Sequence, residues 1–402
     1  MTWVEGATGS PYGVHNLPYG VFRHDGREPR IGVRIGDLVL DLAGAEAAGL
    51  VLAAGALGRP TLNAFMALGR PQWTSVRQRI VELLTDPEHR AAVEPLLVPV
   101  AGIELVMPFQ VGDYVDFYSS EHHASNVGQI FRPGQPPLLP NWKHLPIGYH
   151  GRGGTVVVSG TPVTRPGGQR STPDGPVFGP SVRLDIEAEV GFVVGVPSTL
   201  GEPVPVDDFA QYVFGVVLVN DWSARDIQAW EYQPLGPFLG KSFATSVSGW
   251  VVPLDALADA WTPAPEQDPP VLDYLRDVPH LGLDLRLTVA WNGTEVARPP
   301  FAGMYWTPAQ QLAHLTVNGA SVRTGDLFAS GTVSGERRDQ VGSFLELTWA
   351  GQEPVQLADG QSRTFLADGD TVTISATAPG PDGITVGLGE VTGTIHPARS
   401  QG

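Results

Sequence analysis

The sequence predicts a mainly β, α+β protein in which tight turns connect many short strands. Its 402 residues include 49 glycines and 37 prolines, and 42% of the residues are hydrophobic. The glycines and prolines follow no collagen-like period, and apolar alternation continues along most of the chain. This composition therefore favours a strand-rich globular protein, with enough residues for two domains.

The N-terminal part has both strand and helix patterns. Apolar residues alternate on each side of Gly36-Asp37, over residues 31–35 and 38–42, which predicts a hairpin. Residues 76–84 have helical apolar spacing, and Asp86-Pro87 predicts the start of a second helix. Catalytic residue types do not cluster here. We expect a small N-terminal domain over residues 1–105 and a catalytic domain over residues 106–402.

Charge and composition exclude several classes of function. The formal net charge is −17, which disfavours binding to nucleic acid phosphates or to an anionic membrane. No apolar run approaches the roughly 20 residues of a membrane span, and residues 1–12 lack the regions of a signal peptide. The absence of cysteine excludes disulfides, thiolate catalysis and cysteine-ligated zinc. We expect a cytoplasmic protein without nucleic acid or membrane partners.

Polar side chains concentrate in Pro- and Gly-rich loops between residues 113 and 152. Such loops hold side chains with little loss of entropy, which suits a binding site, although loop histidines are more often simply solvated. The candidates in these loops are Asp116, Tyr118, His122, His123, Arg132 and Tyr149.

A strictly alternating segment follows at residues 182–196 and predicts one strand. Glu187 and Glu189 would lie on the same face, roughly 7 Å apart at Cα. Carboxylates that close repel each other unless a cation lies between them, and Mg²⁺ or Ca²⁺ suits oxygen ligands. An acidic outer face neutralised by Arg183 is the alternative.

The richest polar segment follows the apolar residues 213–219, which predict a buried strand ending near Asp221. Ser223 is placed to cap a helix, and prolines and glycines after it present Lys241 from a constrained loop. Helical spacing puts three side chains on one face: Arg225, Gln228 and Tyr232. Near the C-terminus, residues 344–349 read as a strand in which Glu346 faces away from Leu345 and Leu347.

Together these segments resemble the fumarylacetoacetate hydrolase family in its long two-domain form. The motifs occur in order, and Asp-Trp-Ser-Ala-Arg-Asp and Gly-Pro-Phe-Leu-Gly-Lys are highly specific strings. They occupy residues 116–120, 139–152, 185–189, 220–226, 234–242 and 329–332.

The resemblance implies a small SH3-like N-terminal domain, then a mixed β-roll domain that forms a homodimer. It also implies metal-dependent hydrolysis of a carbon–carbon bond in a dianionic β-diketo acid, fumarylacetoacetate, in tyrosine and phenylalanine breakdown. The products would be fumarate and acetoacetate. An acylpyruvate hydrolase, or a decarboxylase or isomerase with the same metal cage, is the nearest alternative. A β-rich metal-stabilised binding protein without catalysis is a third.

The resemblance also implies roles for individual residues. His123, rather than the adjacent His122, would be the general base, with Glu346 as its orienting carboxylate. The oxyanion would be stabilised by Arg225, Gln228 and Lys241. Substrate contacts would come from Tyr118, Arg132, Tyr149, Gln228, Tyr232 and Thr332. The divalent metal, Mg²⁺ or Ca²⁺, would be held by Asp116, Glu187, Glu189 and Asp221, with further ion contacts from Lys241 and Thr245.

Overall fold

Strands dominate the computed structural model, which describes residues 1–399. The expected mainly β, α+β fold is confirmed. The strands are β1 (Tyr19–His24), β2 (Arg30–Ile35), β3 (Leu38–Asp41), β4 (Leu97–Pro99), β5 (Ile103–Val106), β6 (Tyr114–Phe117), β7 (Gly148–His150), β8 (Val156–Val158), β9 (Val163–Thr164), β10 (Gly167–Thr172), β11 (Gly175–Pro180), β12 (Leu184–Asp185), β13 (Ala188–Val194), β14 (Val213–Asp221), β15 (Ser223–Ala224), β16 (Thr245–Val247), β17 (Trp250–Pro253), β18 (Trp261–Pro263), β19 (Leu281–Leu283), β20 (Arg286–Trp291), β21 (Thr294–Ala297), β22 (Leu327–Ala329), β23 (Val355–Gln356), β24 (Ser362–Arg363), β25 (Thr371–Pro379) and β26 (Thr385–His396).

The helices are short and lie between these strands. They are α1 (Leu42–Ala47), α2 (Asn63–Met66), α3 (Arg70–Thr85), α4 (Arg90–Val93), α5 (Glu121–Phe131), α6 (Phe209–Tyr212), α7 (Arg225–Glu231), α8 (Pro308–Thr316) and α9 (Phe344–Leu347). In the part of the chain that the structure describes, no helix combines the length and the apolar character that crossing a membrane requires.

The largest sheet joins the N-terminal and C-terminal parts of the chain. Its main order is β4-β3-β2-β1-β17-β14-β13-β22-β6-β7. The junction is the antiparallel pairing of β1 with β17, with Tyr19 opposite Val251. Strand β5 also pairs with β1, so the division that the sequence predicts at residue 105 falls within a strand of this sheet. That division remains a prediction.

A second sheet, β21-β20-β25-β26-β9, packs against the first. Apolar residues of both sheets share one core, including Val216 and Leu218 from β14 and Val372 and Ile374 from β25. The second sheet therefore covers one face of the main sheet where β13 and β14 run through its centre. On the opposite face, Val193, Val217 and Val219 pack into the core of the N-terminal part, so both faces of these strands are removed from water.

Several local predictions are confirmed. Strands β2 and β3 form the expected hairpin, with Ile35 opposite Leu38 across Gly36-Asp37. Gly36 has a φ of 58°, which the turn requires and glycine adopts without strain. Helix α3 buries the apolar face formed by Val76, Ile80, Leu83 and Leu84.

The single strand predicted over residues 182–196 is wrong in its details. Strands β12 and β13 are separated by Ile186 and Glu187, and every residue from Leu184 to Val194 is buried. The acidic outer face is therefore excluded, because Asp185, Glu187 and Glu189 lie inside the protein. Strand β13 packs against protein on both faces, so the alternation of apolar and polar residues does not indicate a solvent-exposed face.

Two further local predictions are corrected. Ser223 does not cap α7: it belongs to β15, opposite Asp185, and its hydroxyl donates to the Asp221 carbonyl. Glu346 lies on helix α9 rather than on a strand, and Ser343 caps that helix by accepting from the Glu346 amide at 3.3 Å. Ser223 pairs with Asp185, which is remote in sequence. Ser343 lies close to Glu346 in sequence, and the helix cap that it forms competes with the strand pattern.

Phe214 on β14 connects the N-terminal and C-terminal parts of the core. Its ring centroid lies 5.4 Å from that of Tyr19, 5.8 Å from that of Phe65 and 5.2 Å from that of Trp73.

We predict that Phe214→Ala lowers the free energy of unfolding by about 3–5 kcal/mol, because it leaves a cavity at this junction. Denaturant unfolding measures the loss. Phe178→Ala, at a side chain 61% exposed, serves as the control and should change it by less than about 0.5 kcal/mol.

Candidate active site

One cavity of about 420 Å³ collects most of the residues predicted for the site. It lies between α5, α7, the segments that follow these two helices, β7, and the residues after β6 and β22. The predicted residues that line it are Asp116, Tyr118, His123, Arg132, Tyr149, Glu187, Arg225, Gln228, Tyr232, Lys241 and Thr332. The other four, Glu189, Asp221, Thr245 and Glu346, lie behind its wall. Asp221 and Thr245 line an adjoining cavity of about 340 Å³, which shares Tyr149 and Lys241 with the first.

His123 is held at the cavity wall by its position in the first turn of α5. Ser120 caps the helix and accepts from the His123 amide at 3.2 Å. The imidazole is buried, and its Nδ1 lies 2.7 Å from Glu346 Oε2. The Nε2 atom lies 4.0 Å from Glu187 Oε1, on the side of the acidic residues. The neighbouring His122 is exposed.

Glu346 is buried and fully paired. Its Oε1 accepts from Asn126 at 2.9 Å, and its Oε2 accepts from the hydroxyls of Ser334 at 3.0 Å and Ser343 at 2.7 Å. Burial opposes ionisation, but His123 and these donors outweigh it and lower the pKa of Glu346. Sequence reasoning missed the three donors. Only Asn126 carried a signal, because it lies three residues after His123 on the same helix.

Arg225 begins α7 and is buried with two carboxylates. Its Nε donates to Asp185 Oδ2 at 2.8 Å, and its Nη1 lies 2.7 Å from Glu187 Oε1 and 3.2 Å from Gln228 Oε1. Burial disfavours the charge, but Glu187 and Asp185 outweigh it and raise the pKa of the guanidinium. Its Nη2 finds no acceptor among residues 1–399. A residue that lines the cavity thus keeps one buried N–H group without a partner.

Three carboxylates converge beside Arg225. One oxygen each from Asp116, Glu187 and Asp221 lies within 4.8 Å of the others. They come from β6, from the turn between β12 and β13, and from the end of β14. The Lys241 ammonium donates to Glu187 and, at 2.8 Å, to Asp221 Oδ2. Asp221 also accepts from the hydroxyls of Thr245 at 2.8 Å and Tyr149 at 2.9 Å.

The carboxylate oxygens of this region suit a divalent cation as ligands. Asp116 Oδ1 and both oxygens of Glu189 are buried, and within the described part of the chain no hydrogen-bond donor reaches them. Burial, reinforced by the neighbouring carboxylates, raises the pKa of Asp116 and of Glu189 well above the usual range. A cation would reverse this effect, because it favours the ionised forms. The group therefore suits an oxygen-ligated divalent ion.

The remaining predicted residues surround the opening and the far wall. The Tyr118 ring packs edge-on against His123, with 5.4 Å between the ring centroids. Arg132 donates to the Pro137 carbonyl at 2.9 Å, and the Tyr232 hydroxyl accepts from Gln233 at 3.0 Å. The Thr332 hydroxyl is buried and has no partner in the described residues.

Comparison with known proteins identifies the family of the chain. The model of the fumarylacetoacetate hydrolase C-terminal domain matches residues 114–396, and that of the fumarylacetoacetase N-terminal domain matches residues 15–108. The chain belongs to the fumarylacetoacetate hydrolase family. The match includes the strands that carry Asp116, Glu189 and Asp221.

Similarity extends over the whole chain in curated members of this family. The chain is 47% identical over 418 residues to fumarylacetoacetase of Homo sapiens, covering 99% of each protein. It is 46% identical over 419 residues to fumarylacetoacetase of Bos taurus, covering 100% of each. Among solved structures, a fumarylacetoacetate hydrolase from Exiguobacterium antarcticum has a TM-score of 0.57 at 17% identity, covering 95% of this chain and 100% of that one. That structural likeness supports the fold.

The excess of buried carboxylates predicts a pH-dependent need for the cation. The pKa values of Asp116 and Glu189 are raised in the folded protein, so the stability that their protonated forms contribute is lost as pH rises. We expect the metal-free protein to lose thermal stability as pH rises from about 4, where these carboxyls ionise in the unfolded chain, to neutrality, and Mg²⁺ or Ca²⁺ to restore it. Thermal denaturation with and without chelator measures this.

The double variant Asp116→Asn/Glu189→Gln provides the matched comparison. Its metal-free form has neutral side chains at both positions, so its melting temperature should vary less with pH over the same range. Calorimetric titration of the unaltered protein with Mg²⁺ in two buffers should also show protons released on binding. A metal-free protein with the same melting temperature across this range would contradict the prediction.

Proposed function

We propose that the protein is a fumarylacetoacetase: it hydrolyses the carbon–carbon bond of 4-fumarylacetoacetate to fumarate and acetoacetate, in tyrosine and phenylalanine catabolism. The observation that carries this function is the pairing of His123 with Glu346 at the wall of a cavity that Arg225, Asp116 and Glu187 also line. A hydrolase needs a base, an oxyanion site and a means of stabilising an enolate, and one cavity supplies all three.

His123 would act as the general base. Its Nδ1 hydrogen donates to Glu346, which fixes the tautomer and leaves the Nε2 lone pair directed toward the cavity. Nε2 would take a proton from a water molecule as the water oxygen bonds to the ketone carbon of the fumaryl group. The Glu346 carboxylate then stabilises the imidazolium that results.

Arg225, Gln228 and Lys241 would bind the oxyanion that forms from the ketone oxygen. The Nη2 of Arg225 has no other acceptor in the described chain, and Gln228 holds Arg225 through Oε1, which leaves its amide nitrogen for the substrate. Burial alone would lower the pKa of Lys241, but Asp221 and Glu187 outweigh it and raise that pKa, so the side chain remains an ammonium. Each such donor typically lowers the activation barrier by a few kcal/mol.

Collapse of the oxyanion would break the carbon–carbon bond. The electron pair of that bond passes to the acetoacetate carbon, and the proton held on His123 Nε2 is transferred to it. The hydroxyl from water stays on the fumaryl carbon, and the new carboxylic acid releases its proton to solvent, so one water is consumed and both products are carboxylates. His123 and Glu346 return to their starting protonation states.

We propose Mg²⁺ or Ca²⁺ as the cofactor, with Asp116, Glu187, Glu189 and Asp221 as its ligands. When bound, the cation would polarise the diketone oxygens and lower the energy of the enolate. Thr245 would add a hydroxyl oxygen. Lys241, as an ammonium, has no lone pair on its side chain and could offer a metal only its backbone carbonyl.

The dianionic substrate would be oriented by residues around the cavity. Arg132 suits a terminal carboxylate, because a guanidinium can bind both carboxylate oxygens. Tyr118, Tyr149, Tyr232 and Thr332 would supply hydroxyls along the chain of the substrate. Local cations in the cavity reconcile an anionic substrate with a net charge of −17.

A homodimer in the cytoplasm is part of the same proposal. Dimerisation is inferred from the resemblance to the family. Size-exclusion chromatography with light scattering would test the dimer.

The direct test of function is hydrolysis of 4-fumarylacetoacetate. We expect the ultraviolet absorbance of the diketone to disappear in the presence of Mg²⁺ or Ca²⁺, and chelation to stop the loss. Acylpyruvates assayed alongside should react more slowly. If the metal-loaded protein left fumarylacetoacetate intact but consumed an acylpyruvate, the substrate assignment would be wrong.

Glu346→Gln separates catalysis from simple binding. The amide no longer stabilises an imidazolium, so kcat should fall by about 10²–10⁴ while KM changes little. His123→Ala should cause a similar loss, and the two changes together should cost little more than either alone. Glu353→Gln, at an exposed carboxylate, is the control and should leave kcat unchanged. A metal-stabilised binding protein would show no effect of either site substitution on any activity.

A further inference from the structure

Asp185 is completely buried and lies behind the cavity, where none of the roles above includes it. Both of its carboxylate oxygens are fully used. Oδ2 accepts from Arg225 Nε at 2.8 Å and from the Leu345 amide at 3.0 Å. Oδ1 accepts from the amides of Phe344 and Ile186, each at 2.8 Å. One side chain thus joins three segments that are distant in sequence.

Two of those segments carry different groups of the proposed catalytic site. Arg225 lines the cavity and keeps an Nη2 without an acceptor in the described chain, whereas Phe344 and Leu345 form the first turn of α9, which carries Glu346. Glu346 in turn holds His123. Asp185 is therefore a common attachment for the oxyanion donor and for the carboxylate that orients the base.

The surrounding backbone fixes Asp185 itself. It pairs with Ser223 in the β12–β15 ladder, and the Arg225 amide donates to the Arg183 carbonyl at 2.9 Å. On the other side, the Phe344 ring stacks on Trp291 with 4.0 Å between the ring centroids. Neither α7 nor α9 is free to follow a displaced side chain, so the carboxylate sets the distance between them.

Asp185 also controls how Arg225 shares its charge. The guanidinium contacts two carboxylates, Asp185 through Nε and Glu187 through Nη1. If Asp185 were neutral, Glu187 would be the remaining carboxylate partner, and the guanidinium would be drawn toward the acidic group and away from the position of the oxyanion.

We propose that Asp185 is a positioning residue that holds the Arg225 guanidinium and the Glu346–His123 pair in one mutual geometry. The inference rests on the proposed hydrolase function. Asp185 acts through Arg225 and α9, since its own side chain does not line the cavity. A displacement of about 1 Å between catalytic groups can cost about 100-fold in rate.

Asp185→Asn tests the proposal, because it preserves size but removes the charge and one acceptor. We expect kcat to fall by about 100-fold, with KM within about threefold. Asp41→Asn is the matched control: Asp41 also accepts from an arginine Nε, at 2.8 Å, and from a helix amide, at 3.0 Å, but in the N-terminal part. It should leave kcat unchanged.

A mutant cycle distinguishes positioning from general destabilisation. If Asp185 acts through Arg225 and Glu346, Asp185→Asn should lower the residual kcat by less than about threefold in the Arg225→Gln/Glu346→Gln background. An undiminished 100-fold loss in that background would overturn the proposal. So would a variant of Asp185 with kcat equal to that of the unaltered enzyme.

A measurement on the unaltered protein covers the case in which Asp185→Asn does not fold. With ¹⁵N-labelled arginine, the Nε–H signal of Arg225, identified by its loss in Arg225→Gln, should exchange slowly with water because it is buried against Asp185. Fast exchange would overturn the proposal. An inactive but well-folded wild-type protein with a protected Nε–H would instead refute the proposed function and leave the bridge intact.

Discussion

Compensation of buried negative charge is the constraint on which this structure depends. Asp116, Asp185, Glu187, Glu189 and Asp221 all lie inside the protein, whereas Arg225 and Lys241 are the buried cations that contact this group. Burying a charge is costly unless an opposite charge or several hydrogen bonds compensate it. Two cations cannot neutralise five carboxylates, so the group is completed by protons or by a divalent ion. This requirement links stability, metal binding and catalysis.

The central sheet brings these charges together. Strands β14, β13, β22 and β6 are neighbours, and they place Asp221, Glu189 and Asp116 in one region although the chain separates Asp116 from Asp221 by more than a hundred positions. The second sheet covers one face of these strands through β25 and β26. On the opposite face, which carries the acidic residues, Val193, Val217 and Val219 pack into the core of the N-terminal part. Low local polarity makes each ion pair stronger and each unpaired carboxylate more costly. The sheet therefore creates both the site and its need for a cation.

Division of charge among the carboxylates gives each one a separate task. Asp185 is satisfied by Arg225 and by backbone amides, and Glu346 by His123, Asn126 and two serines. Asp116 and Glu189 keep oxygens without donors in the described chain. The first pair can hold protein groups in place, whereas the second pair has capacity left for a metal. Residue type alone does not distinguish these roles, because all four are acidic.

The sequence by itself determined the strand-rich class, the 31–42 hairpin, helix α3 and the ordered motifs that carry the family resemblance, because these depend on local periodicity and residue identity. It also supplied the residue types of the site. Tertiary structure decided that Asp185 faces inward to Arg225, that Ser223 pairs in β15, and that Glu346 lies on α9 beside Asn126. These outcomes depend on partners far apart in sequence, which periodicity does not encode. They also depend on the burial of both faces of β13, because alternation of apolar and polar residues indicates an exposed face only where one face meets solvent.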